Sequence, residues 1–305
     1  MRSLILKEKL SKNCKIFITK KKNKLLKLKK KVLILNKETE LKNYVKKNCK
    51  NILVIDKYRN NLKSIKILNN YFDFILVYND LNFYKDNKYN FIIIKPQNIK
   101  KFKFGKKVLE GHNIFPVNQK LIDVRKKYKI NKEIKKILIF FGGDIKKQTL
   151  IKILFTISKV VSKKIKFFLY TNQNMNEIDL PDNIIIKKIN RSYFNDLPKY
   201  DLGIISSGFI KFDLFTIGMP ILYFPVYSHQ KVLAKYFTNK KFGLSFDKLK
   251  FYKKPKLLNK SYNIEEFFSY KKRLKYYKHF RANFDGKGSE RIINFINKLW
   301  ERHET

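Results

Sequence analysis

Short runs of β-branched and aromatic residues recur along the chain, separated by longer segments in which apolar positions repeat every three or four residues. The first pattern is that of buried parallel strands and the second that of helices packed on them. In the first half, Lys15–Thr19, Lys31–Leu35, Asn51–Asp56, Phe74–Tyr78 and Phe91–Ile94 are expected as strands. Arg2–Leu10, Lys37–Lys47 and Asn61–Asn70 are expected as helices. A loop and helix over Gly111–Lys129 then opens a second round. There, strands are expected at Lys136–Phe141, Ile165–Tyr170, Asn183–Lys187, Leu202–Ser206 and Ile221–Pro225. Helices are expected at Thr149–Val161, Ser192–Leu197 and Lys211–Ile217, and in the tail at Asn263–Phe284 and Ser289–His303.

Strands alternating with helices imply right-handed crossovers and parallel sheets. Two successive rounds of similar size imply two domains with a hinge near residues 111–131. The chain opens on a helix, whereas doubly wound nucleotide-binding domains open on a strand. The first strand of the N-terminal domain is therefore expected to be missing from the sequence.

Composition narrows the function classes. The chain has 305 residues, 44% hydrophobic and 15% aromatic, as a folded protein does. Its apolar runs are far shorter than the roughly 20 residues that cross a bilayer, and charged residues interrupt the N-terminal segment as no signal peptide allows. A cytoplasmic protein is expected. The net charge of +46 points first to nucleic acid. Arginine, however, stands only at positions 2, 59, 125, 191, 273, 281, 291 and 302, and lysine is spread over the whole chain beside Asn, Ile, Phe and Tyr. Nucleic-acid readers concentrate arginine on one face. The excess instead matches residues with A/T-rich codons, and Lys20–Lys31 is its densest patch. No specific nucleic-acid partner is expected; peripheral contact with an anionic membrane is compatible with such a field. Cys14 and Cys49, with His112, His229, His279 and His303, lack metal-ligand or disulfide spacing. Neither a metal nor another cofactor is expected, nor an obligate protein partner.

Two motifs carry candidate chemistry. Lys136–Phe141 runs into Gly142-Gly143-Asp144 and a helix near Thr149, and glycine lets backbone turn sharply beside a ligand. The second is Tyr200-Asp-Leu-Gly-Ile-Ile-Ser-Ser-Gly-Phe-Ile-Lys-Phe-Asp213, followed by Gly218, Pro220, Pro225 and Gln230. A buried strand leads into a small-residue loop and then a helix with an acid one turn in. The loop amides of Ser207, Gly208 and Phe209 and the helix dipole suit a diphosphate, and Asp213 suits ribose hydroxyls.

Taken in order, five stretches resemble inverting glycosyltransferases of the MurG type. They are most similar to the UDP-sugar hydrolases of pseudaminic acid biosynthesis and their spore-coat polysaccharide relatives. Met1-Arg2-Ser3-Leu4 is similar to the end of that family's G-x-G-H-x-x-R-[SC]-L loop, and Val54-Ile-Asp-Lys-Tyr58 to its I-D-x-Y strand end. Phe141–Asp144 with Thr149 and the Ser206–Gln230 block follow. Asp285-Gly-Lys-Gly-Ser-Glu-Arg-Ile292 is similar to its D-G-x-G-x-x-R-I.

The resemblance implies a GT-B-like α/β fold: two Rossmann-like domains with a cleft between them. The first domain covers 1–115, a linker 116–131, the nucleotide-binding domain 132–284, and a C-terminal helix packing back covers 285–305. It implies a UDP-sugar substrate and hydrolysis of a UDP-linked deoxyamino sugar to UDP and free sugar, for surface polysaccharide or nonulosonic acid synthesis. Gly142, Gly143, Ser207, Gly208, Phe209, Asp213 and Gln230 would bind the nucleotide sugar. Arg2, Asp56, Tyr58 and His229 would lie on the sugar side.

The departures from the family bear on activity. The family's catalytic histidine would fall just before Met1, so no residue of this chain is assigned as catalytic. Its Gly-Gly-Ser-Thr loop is Ser207-Gly208-Phe209-Ile210 here, so the hydroxyl donors of the family's Ser and Thr positions are lost, and its Glu is Asp213. Its linker Tyr and Arg are Ile114 and Asn118. Two other readings share the scaffold: a glycosyltransferase using a UDP-sugar donor, and a degenerate sugar-nucleotide-binding protein without turnover.

Overall fold

The computed structural model describes residues 16–19, 32–35, 38–45, 52–56, 67–78, 91–95, 108–142, 145–160, 162, 164–190, 193–245 and 269–301. The strands are β1 (Ile16–Thr19), β2 (Val32–Leu35), β3 (Ile52–Ile55), β4 (Phe74–Tyr78), β5 (Phe91–Lys95) and β6 (Val108–Glu110). They continue as β7 (Lys136–Phe140), β8 (Lys166–Thr171), β9 (Ile184–Lys188), β10 (Leu202–Ile205), β11 (Ile221–Tyr223) and β12 (Leu244–Ser245). The α-helices are α1 (Lys120–Lys127), α2 (Lys147–Val160), α3 (Ile210–Ile217), α4 (Ser228–Asn239), α5 (Tyr270–Asn283) and α6 (Gly288–Glu301). Tighter 3-10 turns span Glu38–Tyr44, His112–Ile114 and Tyr193–Lys199. The helix expected at Arg2–Leu10 and the basic patch Lys20–Lys31 lie outside the described residues, as do Arg2, Tyr58 and Gly143.

The chain divides into two compact units, one made of Met1–Val117 with Lys287–Thr305, the other of Asn118–Gly286. In the first unit β1 and β2 pair in parallel, and β3, β4, β5 and β6 form a parallel sheet in that order. Every residue of β4 is buried. Phe74, Leu76 and Tyr78 join Ile94 and Ile114 with Ile292 and Ile296 of α6, while Ile75 and Val77 meet Leu41, Leu53 and Leu68. A strand covered on both faces reads as a continuous apolar run, which is why FILVY stood out in the sequence. Helix α6 begins where backbone meets backbone: a Cβ on Gly288 would lie 2.2 Å from the Phe115 carbonyl oxygen. Arg291 fastens the same region by donating to the Asn113 carbonyl at 3.0 Å.

The second unit is one parallel sheet of six strands in the order β12-β11-β10-β7-β8-β9. Its first strand, β7, sits in the middle, with β8 and β9 on one side and β10, β11 and β12 on the other. That is the Rossmann order, and it places a topological switch between β7 and β10. Ile137, Ile139, Leu154, Phe167, Leu169, Leu202 and Ile204 belong to its main buried cluster. A second, aromatic cluster packs under α3: Phe215 lies 4.9 Å from Phe280 and 4.6 Å from Phe284, centroid to centroid.

Two polar anchors hold this unit's frame. Asp201 is buried at the start of β10 and accepts from the Lys135 and Lys136 amides at 2.8 and 2.9 Å and from Asn131 Nδ2 at 2.6 Å. Arg125 on α1 donates to the carbonyls of Thr216, Phe284 and Arg281 at 2.5, 2.6 and 2.8 Å. It thereby closes the C-terminal ends of α3 and α5, whose last carbonyls have no partner inside their own helices. Burial and the adjacent Arg281 guanidinium pull the Arg125 pKa down from its ordinary value.

Candidate nucleotide-binding site

Both sequence motifs end at the switch point of the second unit. Parallel pairing aligns Ile205 with Phe140, so the chain leaving β7 and the chain leaving β10 emerge side by side. Ser206 Oγ donates to the Phe141 carbonyl at 3.1 Å and ties the two loops together. Ligands of open α/β sheets bind beyond the carboxyl ends of strands at such a crevice.

Each loop carries backbone that few side chains adopt. Gly142 has φ 79°, and a Cβ placed on it would meet nothing within 4 Å. The position therefore demands glycine for its conformation, not for lack of room, and space lies over it. Ser207 has φ 75° although it is not glycine. It is 1% exposed, and among the described residues its hydroxyl has no hydrogen-bond partner. A buried unpaired hydroxyl costs about 1–3 kcal/mol, so the loop holds Ser207 in a state that a polar ligand would relieve. Gly208 follows, and then Phe209, 48% exposed at the start of α3.

Helix α3 sets two further side chains. Lys211 is 0% exposed and donates from Nζ to the carbonyls of Ser207 and Gly208 at 3.1 and 3.2 Å. Its ammonium also lies 4.7 Å from the Phe212 ring centroid and 5.0 Å from that of Phe237. Asp213, half-buried, accepts a very short hydrogen bond at Oδ2 from the Tyr193 hydroxyl. Burial pushes the Asp213 carboxyl up to about 7, and the Tyr193 hydrogen bond pulls it partly back. The phenol responds in the opposite sense: burial and the facing carboxyl raise the Tyr193 pKa well above its ordinary value.

Tyr193 is itself set by aromatic packing, 5.9 Å from Phe140, 6.0 Å from Phe194 and 6.4 Å from Tyr170. The Tyr170 hydroxyl donates to Asp196 at 2.8 Å and lies 3.0 Å from the Tyr200 hydroxyl. Hydrogen bonding from Lys199 holds Asp196 below the usual carboxylate range.

The structure thus brings Gly142, Ser207, Gly208, Phe209 and Asp213 to one edge of one sheet. Gln230 and His229 follow the neighbouring strand β11. Gln230 Oε1 accepts from the Val226 and Tyr227 amides at 2.9 and 3.2 Å, satisfying donors at the α4 N-terminus. Its carbonyl is thus engaged at the helix end. His229 is exposed and stacks on Tyr227, centroids 5.9 Å apart and rings inclined by 8°. Asp56 is in the first unit, half-buried just beyond β3.

Sequence reasoning missed Tyr193 and Lys211. A lysine within the apolar run Phe209–Ile217 was the one available signal for the second; the first, 20 residues before its partner, gave none.

No protein-family model matches the sequence, and no curated protein matches it. Solved structures do match. MurG from Acinetobacter baumannii is 16% identical over 97% of this chain and 95% of its own, with a TM-score of 0.62. The fold is GT-B. A protein from Listeria monocytogenes assigned as a UDP-N-acetylglucosamine 2-epimerase is 12% identical over 99% of this chain and 95% of its own, TM-score 0.57. The spinosyn rhamnosyltransferase SpnG, solved with spinosyn aglycone, is 12% identical over 80% of this chain and 73% of its own, TM-score 0.54. At such identities the likeness extends to the fold alone. Among the described residues, no helix is long and apolar enough to cross a membrane, and no group of three or more His, Cys, Asp or Glu side chains could hold a metal ion.

Proposed function

We propose that the chain binds a UDP-sugar through its second unit and transfers the sugar to water. The products would be UDP and a free deoxyamino sugar. The observation that carries the reading is the convergence of two glycine-bearing loops at the switch point, with a carboxyl one helical turn beyond. In this reading the backbone of Gly142, Gly143, Ser207, Gly208 and Phe209 holds the diphosphate. Asp213 accepts from the ribose hydroxyls, and Gln230 donates to the sugar through its amide nitrogen. During reaction the bond between the anomeric carbon and the diphosphate oxygen breaks, and its electron pair leaves with UDP. A water oxygen bonds to the anomeric carbon, and a water proton passes to a base. Amides aimed at the departing diphosphate act where charge develops, which is where fixed donors accelerate a reaction most.

The test is incubation with a UDP-linked diacetamido-trideoxyhexose in oxygen-18 water. Label on C1 of the released sugar supports hydrolysis at carbon, whereas label in UDP means cleavage at phosphorus and refutes it. The second reading, transfer to an organic acceptor, is favoured by the likeness in fold to MurG and the rhamnosyltransferase. UDP release that requires an added acceptor alcohol would select it.

A further inference from the structure

We propose that Lys211 is the positioning residue of the diphosphate loop, holding it in its anion-binding form and supplying positive charge from beneath. The proposal rests on the nucleotide-binding reading above. Its argument begins with the peptide plane. In a trans peptide the N–H points away from the C=O of the same unit. Lys211 Nζ draws the Ser207 and Gly208 carbonyls toward itself at 3.1 and 3.2 Å. The N–H groups sharing those two planes belong to Gly208 and Phe209, and they are turned to the side opposite the ammonium. These are the amides that the sequence motif assigns to the diphosphate. The lysine therefore sets the direction of both donors at once.

The same contact explains how the loop manages with its present sequence. Where the resembling family has two hydroxyl residues, this chain has Phe209 and Ile210, whose side chains donate nothing. An ammonium that polarises two adjacent peptides strengthens the donors that remain, because hydrogen bonds in a chain reinforce one another in a low dielectric. Lys211 is 0% exposed, so solvent and salt screen its field less than that of a surface lysine. The rings of Phe212 and Phe237, at 4.7 and 5.0 Å, close off its other sides and keep the side chain in place. The buried Ser207 hydroxyl, without a partner among the described residues, is an independent sign that the loop awaits a polar ligand.

A charge beneath the loop acts in proportion to the charge above it. The experiment is titration calorimetry of the wild type, Lys211→Met and Lys211→Gln with UDP, UMP and uridine, with thermal unfolding of each protein recorded alongside. The expected result is a loss of about tenfold or more in UDP affinity for Lys211→Met, a smaller loss for UMP, and unchanged affinity for uridine. Lys211→Gln keeps a donor for the carbonyls without the charge and should fall between the wild type and Lys211→Met. Equal UDP affinity in the wild type and both variants overturns the role of Lys211 and leaves the nucleotide reading intact. Equal losses for UDP and uridine, with a lowered unfolding temperature, reduce Lys211 to a packing residue and also overturn it. A wild-type protein that binds neither UDP nor uridine overturns the proposal together with the reading beneath it.

Discussion

If Asp213 holds the ribose as proposed, its contact with Tyr193 should make nucleoside binding depend on pH in a way that one atom controls. Asp213 titrates at about 7 because burial disfavours its carboxylate, while the Tyr193 hydroxyl favours it. Tyr193→Phe removes that hydroxyl and keeps the ring that packs on Phe140 and Phe194. A hydrogen bond to a charged acceptor is worth about 1.5–3 kcal/mol, which moves a titration by about one to two pH units. The Asp213 midpoint should therefore rise from about 7 to about 8–9 in the variant.

In the proposed site the ribose hydroxyls donate to the carboxylate, so binding should weaken as pH falls through the midpoint. Uridine is the right probe, because it lacks the phosphate that would titrate in the same range. Wild-type affinity should fall about tenfold between about pH 8 and 6. At pH 7 the variant should bind at least about fivefold more weakly than the wild type and recover as the medium becomes alkaline. Asp213→Asn should be insensitive to pH throughout. Wild-type affinity that stays flat with pH, or a Tyr193→Phe profile that overlays the wild type, refutes the reasoning. The same group tilts stability. Its folded value stands above the ordinary 3.8, so its stabilising contribution is complete below 3.8 and is lost as pH rises to about 7.

Gly142→Ala should fold, because open space surrounds the new methyl, yet lose about 1–2 kcal/mol from the positive φ; chemical denaturation measures the loss, and UDP affinity should fall with it. Arg125→Met strips three carbonyls of their donor and should destabilise the second unit by about 3 kcal/mol in urea unfolding. Gly288→Ala drives a methyl into the Phe115 carbonyl and should destabilise by about 3 kcal/mol, seen as an early unfolding transition. Wild-type midpoints in either case would show that the contact is dispensable.

The order of strands and helices in the second unit was legible because its inner strands are buried on both faces. KILIF, LGII and FILVY in the first unit are apolar without interruption, and each emerged as a strand within a residue or two of the expected ends. Elements that bury little were harder. Helix α4 buries only Leu233, Ala234 and Phe237 among polar neighbours, and was not expected. The short strands β6 and β12 escaped notice as well. The helices expected over Lys37–Lys47 and Ser192–Leu197 form as tight 3-10 turns at Glu38–Tyr44 and Tyr193–Lys199; in the second, Pro198 lacks the N–H that an α-helix would use. The loops of the candidate site were readable from glycine and serine following apolar strands. The order of strands that brings those loops together was not, since alternation predicts parallel pairing but does not say which strand lies in the middle.

The described arginines can be read in the same terms. All four arginines among the described residues point their guanidinium groups at backbone carbonyls. Arg125 and Arg281 link α1 to the ends of α3 and α5; Arg273 holds Asn131 and Lys132; Arg291 holds Asn113. A planar fork with several donors suits this work, and a lysine ammonium on a flexible stem suits it less. Among the described residues, arginine thus joins segments far apart in sequence. Lysine is abundant and dispersed along the sequence. Lys211 departs from that background because burial fixes its direction. Among the described lysines, it is the one that solvent does not reach.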